Sequence, residues 1–396
     1  MIVMKKLFFV RQSSVVPETK NSIKFREFYF LKWLTQDSKV SKEFSVSFIH
    51  SSFDHYKKNK KESFKSFFPN ISEFLLGAIW YKRNTSILRI LDAWYFSIQL
   101  FFLLLLKTNK HSIVICTLPT PESCFIVSLV RRLKKFNFII DFRDGWPGAL
   151  VTNSKIKTYL FDKYCMFLIS FSLKKTNKIL SMSDSLINYY KQRHPKQMLD
   201  KKMFTLSNPV VEEKIIKTQR YDHLIDDNYV VFFAGTLNDQ FTFDPLLECI
   251  EEISKIENII VLIAGEGSRL EFLQNQFREF KFVKFLRKIP SEDCKYIMSR
   301  ADVLFSFYGL DIFKGHLTNK IIEYSAFKSK IIHNLGDFRI NEELFSVGES
   351  IKDSFHETLL NYDDNLSDKN KLKIRKYFKE ELSRELFKQS LIYDKS

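Results

Sequence analysis

Cysteine is scarce and scattered. The five residues Cys116, Cys124, Cys165, Cys249 and Cys294 show no paired short spacing of the kind a zinc site needs, and most fall inside apolar runs. They read as reduced core residues of a cytosolic protein, with no metal site. No uninterrupted apolar segment reaches the roughly 18 residues of a spanning helix. Near the start, Lys5 and Lys6 precede Leu7–Val10, an apolar run too short for a signal peptide, which reads instead as a first strand. The expectation is a cytoplasmic chain. Also missing are a Ser-His-Asp arrangement, a phosphate-loop consensus, tandem repeats and low-complexity tracts.

What is present is bulk and positive charge. A chain of 396 residues, 45% hydrophobic and 27% charged, is long enough for two ordinary domains. The formal charge of +16 points to an acidic partner: nucleic acid, an anionic bilayer or a phosphate-bearing substrate. The 41 phenylalanines beside abundant Lys, Ile and Asn also fit nucleotide bias in the gene, so the basicity is weighted down.

The most ordered stretch runs from Tyr229 to Asn334. A strand, Tyr229–Ala234, ends at Gly235-Thr236-Leu237, where a small residue lets backbone approach a ligand. Asp244-Pro245 opens a helix over Leu246–Ile256, and a second strand, Asn258–Ala264, stops at Gly265-Glu266-Gly267. Ser268–Glu271 reads as a capping box, Lys281–Phe285 as a third strand, and Pro290-Ser291 as the start of a helix ending before Ala301–Phe307. Thr318-Asn319-Lys320 begins a helix containing Glu323, and Lys330–His333 is a further strand. The alternation is that of βαβ units.

In this order and at these separations, Phe-Ala-Gly-Thr-Leu, Ile-Ala-Gly-Glu-Gly, Ala-Asp-Val-Leu and Asn-Lys-Ile-Ile-Glu-Tyr resemble the donor-binding half of family 4 glycosyltransferases. The resemblance implies the GT-B fold: α/β, two Rossmann-like domains with parallel sheets facing a central cleft. It implies transfer of a sugar from a nucleoside-diphosphate donor, UDP or GDP, with retention and without a cofactor or bound metal. The expected organisation is an acceptor domain over 1–209, a linker over 210–228, a nucleotide-sugar domain over 229–375 and a helix over 376–396 crossing back to the first domain.

Physics supports a diphosphate at the start of the Thr318 helix, where free amides and the Lys320 ammonium converge. Glu323, on nearly the same helical face as Lys320, can accept hydrogen bonds from ribose hydroxyls, the role the resemblance assigns it. A surface Lys-Glu pair is the alternative. The candidate donor residues are Gly235, Thr236, Gly265, Glu266, Gly267, Arg287, His316, Thr318, Asn319, Lys320 and Glu323. Relatives often carry two glutamates separated by seven residues; Glu323 fits the second, but Gly315 stands at the first. They also carry a basic residue after the first strand of this half, where Thr236, Asn238 and Asp239 stand; Arg287, Lys288 and Lys314 are the substitutes at hand.

In the first half, the loop Arg11–Lys24 contains no glycine, unlike the corresponding loop of relatives. Phe25–Leu34 reads as a helix and Phe44–Ile49 as a strand. His50 and His55, with Tyr81–Leu91, resemble the acceptor side of the lipopolysaccharide and capsule subgroup; hydrogen-bonded structural roles are the simpler reading of both histidines. Lys57–Lys65 is either a solvated surface or a cradle for an anionic acceptor or bilayer. Leu91–Leu106 is apolar on nearly all sides, either buried between layers or dipped into a membrane interface. Ser112–Thr117 is a strand, and Thr117 precedes the helix begun by Pro121. Asp141-Phe-Arg143-Asp144-Gly-Trp146 then gathers two carboxylates, a guanidinium and an indole at a strand's carboxyl end, where open α/β sheets place ligands. Arg143 either serves the site or locks the turn, and Asp144 is the candidate general base. Catalysis is assigned to Asp144, Glu323 and Lys320.

The function expected is transfer of a sugar to a growing glycan, polyprenyl-linked, of the bacterial surface, by an enzyme peripheral to the inner face of the cell membrane. A GT-B epimerase or hydrolase of nucleotide sugars is the alternative, and a basic polyanion- or membrane-binding protein comes third. Basic residues are spread among apolar stretches without stacking aromatics, so nucleic acid is not an expected partner.

Overall fold

The computed structural model describes residues 4–14, 16, 26–36, 40–55, 58–82, 86–148, 155–206, 208–209, 215–310, 313–315, 317–340, 343–345, 348–351, 354–364, 368–369, 371–372, 375 and 380–391. The chain divides into two compact units. One contains residues 24–207 with the first strand and Ser383–Ser396, and the other contains Asn208–Leu382.

The first unit holds strands β1 (Lys5–Val10), β2 (Phe44–Ser51), β3 (Phe53–Asp54), β4 (Asn59–Lys60), β5 (Ser72–Leu76), β6 (Ile113–Leu118), β7 (Asn137–Phe142), β8 (Lys178–Ser181) and β9 (Lys202–Thr205). Its helices are α1 (Arg26–Gln36), α2 (Val40–Glu43), α3 (Ile87–Lys107), α4 (Pro121–Lys134), α5 (Lys155–Lys175), α6 (Asp184–Arg193) and α7 (Pro195–Met198). Seven strands pair in parallel in the order β5-β2-β1-β6-β7-β8-β9, and β3 and β4 form a small hairpin beside them. Every residue of β6 and β7 is buried, which is why these strands read as continuous apolar runs rather than alternating ones. Helices α3, α4 and α5 cover one face, with Phe96, Leu100, Val127, Val130 and Ile169 packed onto Val114, Phe138 and Ile140. Near the chain's end, Phe387 of the helix Glu380–Leu391 stacks on Phe30 at 4.3 Å and meets Trp33 at 5.7 Å.

The second unit holds α8 (Asp222–Ile225), β10 (Tyr229–Ala234), α9 (Asp244–Leu247), α10 (Ile250–Ile253), β11 (Ile259–Ala264), α11 (Leu270–Gln276), β12 (Val283–Arg287), α12 (Ser291–Arg300), β13 (Val303–Ser306) and α13 (Asn319–Tyr324). After them come β14 (Lys330–His333), the hairpin β15 (Phe338–Ile340) and β16 (Glu343–Phe345), β17 (Glu349–Ser350) and α14 (Phe355–Leu360). The six-stranded parallel sheet runs β12-β11-β10-β13-β14-β17. Residues 215–228, anticipated as linker, end in α8, whose Ile225 enters the core of this unit and whose Asp222 accepts from Tyr296 Oη at 2.8 Å.

Three local expectations differ from the structure. The helix anticipated over Leu246–Ile256 is two short turns, interrupted where Cys249 leaves helical geometry at φ −121°, ψ 26°. The capping box at Ser268 does not form: α11 begins one residue later, after Arg269, whose N–H is spent on Leu237 O at 3.0 Å. Only six of the 21 residues of α3 are buried and eight are exposed, so this helix is not simply buried between layers.

In each sheet the chain works outward from one central strand and then reverses. The reversal falls between β1 and β6 in the first unit and between β10 and β13 in the second. Neighbouring crossovers diverge there, which leaves a crevice at the carboxyl ends of those strands.

Candidate active site

At the β10/β13 reversal, the turns after β10 and β11 are zipped together. Gly235 N donates to Ala264 O at 2.9 Å, Leu237 N to Glu266 O at 2.9 Å, and Gly265 N to Arg287 O at 2.7 Å. A Cβ on Gly265 would stand 1.8 Å from Gly235 O, and one on Gly267 would stand 2.1 Å from Leu237 O. These glycines are therefore demanded by backbone packing against backbone. The Gly235 N–H is itself engaged by Ala264 O. Thr236 and Glu266 present exposed side chains at the rim.

Gly235 answers to a second constraint. Lys320 rises from α13 so that its ammonium donates to Ala234 O and would lie 2.8 Å from a Cβ on Gly235. The Nζ sits 4.9 Å from the Phe233 ring centroid, 5.4 Å from Phe241 and 5.7 Å from Tyr324. Burial lowers the Lys320 pKa and the Glu323 carboxylate works against that fall, while the three ring faces favour the cation. Glu323 follows on the same helix, half-buried. An ammonium has three donors, and only one is directed at Ala234 O.

Thr318 precedes α13 in extended geometry, but its hydroxyl does not cap the helix; it pairs with Tyr308 Oη at 2.9 Å. Tyr308 is itself held by the Asn334 side chain, whose Oδ1 accepts from Tyr308 N at 2.8 Å and whose Nδ2 donates to Tyr308 O at 2.9 Å. Asn319 and Arg287 are exposed, and Arg287 has a positive φ of 53°. Gly315, where relatives carry a glutamate, has φ +68°, a conformation that a side chain would strain. His316 lies outside the described residues.

In the first unit, the carboxyl edge of the sheet is built around buried charges. Glu27 of α1 accepts a hydrogen bond from Arg143 Nη1 at 2.7 Å and forms an ion pair with Arg11, whose Nε lies 3.1 Å away. Burial opposes its ionisation, yet the two guanidiniums outweigh it and hold Glu27 at about 2. Arg26 donates through Nε to Asp141 Oδ1 at 2.9 Å, with Nη2 at the same distance in the ion pair, and through Nη1 to Leu206 O. Asp141 is thus a fully buried anchor, and Arg143 locks onto Glu27 rather than onto either aspartate of its own turn. Asp144 is exposed, and its backbone carbonyl accepts from Trp146 N at 2.8 Å and Tyr190 Oη at 2.9 Å. Of the two carboxylates in the turn, Asp144 alone is accessible to a substrate.

His50 is buried, stacked on Phe48, and bound through Nε2 to Glu73 at 2.7 Å; burial lowers its pKa against the pull of Glu73. His55 Nδ1 bonds the Tyr81 hydroxyl, and burial followed by Arg89, Lys58, Lys61 and Arg11 pushes its pKa down to about 3. Thr117 is buried at the end of β6, and Trp146 packs its ring 5.0 Å from the Arg89 guanidinium.

Sequence reasoning missed Arg26, Glu27, Lys61 and Asp92. Lys61 is buried and donates to Gln12 O at 3.2 Å and Ser14 Oγ at 3.1 Å, and burial brings it to about 7. Gln12 in turn donates to Asp92 Oδ2 at 2.8 Å, where burial raises the carboxyl to about 6. Lys61 belongs to a lysine run that looks solvated, and Asp92 is one polar residue in an apolar helix. Neither carries a local signal of its partner.

No protein-family profile matches the sequence, and no curated protein matches it by sequence. By fold the chain is similar to many solved structures over its whole length. HepE of Anabaena, solved with UDP-glucose, covers 97% of this chain and is covered to 98%, at 10% identity and a TM-score of 0.63. Sucrose-phosphate synthase of Thermosynechococcus elongatus gives 97% and 98%, 12% identity and 0.69. The lipopolysaccharide outer core galactosyltransferase WaaB gives 98% and 99%, 14% identity and 0.60. The chain has the GT-B fold, with two Rossmann-like domains.

Proposed function

We propose that this chain is a glycosyltransferase that moves a sugar from a nucleoside diphosphate, UDP or GDP, to a glycan acceptor. The observation that carries the reading is the position of Lys320 and Glu323 at the β10/β13 reversal, in a chain similar along its length to a protein solved with UDP-glucose. A diphosphate in that crevice meets the caged Lys320 ammonium. As the bond to the sugar breaks, negative charge grows on the leaving phosphate oxygen, and a fixed, poorly hydrated cation stabilises that state more than the ground state. Glu323 accepts hydrogen bonds from the ribose hydroxyls. Arg287 and Thr236 stand at the rim for the outer phosphate and the sugar.

Asp144 is the accessible carboxylate of the first unit and takes the acceptor's proton in this scheme. Retention of configuration, membership of family 4, a lipid-linked surface polysaccharide as acceptor, a cytoplasmic location and transfer without a bound metal are further parts of the proposal, and rest on the sequence resemblance. The test is turnover of a labelled nucleotide sugar with and without glycan acceptors. Product that forms only with acceptor supports transfer. Release of free sugar or an epimerised donor at the same rate without acceptor replaces the proposal with a hydrolase or epimerase.

A further inference from the structure

The outer surface of the first unit's helical layer is apolar where a layer facing only water would be polar. Along the 21 residues of α3, the inner side, Phe96, Leu100 and Leu104, is fully buried against the sheet. On the opposite side, Leu91, Ile98, Phe102 and Leu106 recur at helical spacing and are 49%, 51%, 58% and 80% exposed. Helix α5 repeats the pattern, with Tyr159 at 60% and Phe167 at 64%. The two stripes are joined across α4: Phe125 lies 6.1 Å from Trp94 of α3 and 6.4 Å from Phe167 of α5, centroid to centroid. The result is one continuous apolar face about 30 Å long, given 1.5 Å of rise per residue.

The charge around this face has one sign. Helices α3, α4 and α5 carry two, three and five lysine or arginine residues and one carboxylate each. Asp92 and Glu122 are buried, and Asp162 is paired with Arg193. The exposed charge of the layer is therefore overwhelmingly positive. Much of it lies at the carboxyl ends of the helices, where Lys107, Arg132, Lys134, Lys174 and Lys175 also suit the macrodipole.

We infer that the α3–α4–α5 face docks on the surface of an anionic lipid bilayer, its apolar stripes entering the headgroup boundary and its lysines meeting lipid phosphates. By length and composition α3 is also able to cross a membrane. It lies on the bilayer instead, because crossing would pull Phe96, Leu100 and Leu104 out of the sheet's core. The inference concerns the first unit alone, and its readout needs no donor sugar.

The test is co-sedimentation of the whole chain with vesicles of phosphatidylglycerol and phosphatidylcholine, compared with pure phosphatidylcholine. Binding is expected to the anionic vesicles only and to weaken with salt. It should fall by about tenfold or more in Leu91→Glu/Phe102→Glu and in Tyr159→Glu/Phe167→Glu. These sites are exposed, so circular dichroism and melting should match the parent. If either double variant fails to fold, Lys107→Gln/Lys163→Gln, which touches no core, must weaken binding by itself. No binding, equal binding to neutral vesicles, or binding unchanged in folded variants overturns the inference. So does light scattering that shows a lipid-free dimer dissociated by the same substitutions, because the face then belongs to a second copy.

Discussion

At Lys320, one ammonium meets a backbone carbonyl, three aromatic rings and the field of Glu323, so its position is fixed before any ligand arrives. Lys320→Met should leave the melting temperature near the parent's and cut turnover by about 100- to 1,000-fold, the loss typical of removing one preorganised electrostatic contact. Unchanged turnover would remove Lys320 from the mechanism. The glycines separate two kinds of constraint. At Gly265, a Cβ would collide with backbone at φ +148°, so Gly265→Ala should destabilise the chain by more than about 2 kcal/mol in urea unfolding. At Gly235, the nearest atom is the end of a flexible lysine, so Gly235→Ala should fold normally yet bind nucleotide weakly. His55 offers a pH signature. Folded, it stays neutral down to about 3, whereas the unfolded imidazole takes a proton below its ordinary 6.5. The unfolded state therefore binds more protons, and stability falls as pH drops from 6.5 toward 3, by on the order of 3 kcal/mol at pH 4. His55→Asn should flatten this part of the stability profile in urea unfolding. A wild-type imidazole seen by NMR to titrate near 6.5 would contradict the cause. Only one of these couplings is local in sequence. Lys320 and Glu323 are three residues apart and could be paired on paper, but Gly235 with Lys320, or Glu27 with Arg11 and Arg143, exist only once strands are adjacent.

Strands were legible because parallel strands buried on both faces leave uninterrupted apolar runs. Asn137–Phe142, Tyr229–Ala234 and Ile259–Ala264 lie where the sequence places them. The long helix α3 was legible too, but its exposure was not. The apolar content of α3 says that it has hydrophobic faces, without saying how many faces the fold covers. Short elements fared worst. Where α11 starts late, the Arg269 N–H bond to Leu237 O overrides local propensity, and Leu246–Ile256 breaks at Cys249. The helix Glu380–Leu391 is amphipathic in sequence, but its docking site on Phe30 and Trp33 is non-local. Phe387→Ala should cost about 3–5 kcal/mol by loss of a stacked, buried ring. A change within the error of urea titration would show that this helix adds nothing to the first unit.

Over the whole molecule, two parallel sheets each reverse once, and each reversal collects the residues with chemistry to offer. Lys320, Glu323 and Gly235 meet at one, and Arg11, Thr117, Asp141 and Asp144 line the same sheet edge in the other. Lys320, Glu323 and Gly235 were readable as a group because they cluster within a hundred positions and resemble a known order. Arg26, Glu27, Lys61 and Asp92 were not, because their partners come from separate segments. A metal-independent transferase should keep its full rate in EDTA; loss of activity restored by magnesium or manganese would require a cation in the mechanism.

The most direct measurement is thermal unfolding of the parent and of Glu323→Ala with UDP, GDP, CMP and their sugar conjugates. A ligand at a hundred times its dissociation constant stabilises the fold by about 2.7 kcal/mol, a shift readily seen. The account predicts stabilisation by one nucleoside diphosphate, retained by its sugar conjugate and lost in the folded variant. Stabilisation of parent and variant alike would move the donor site away from α13, and no response to any nucleotide, with the chain folded, would contradict the transferase assignment.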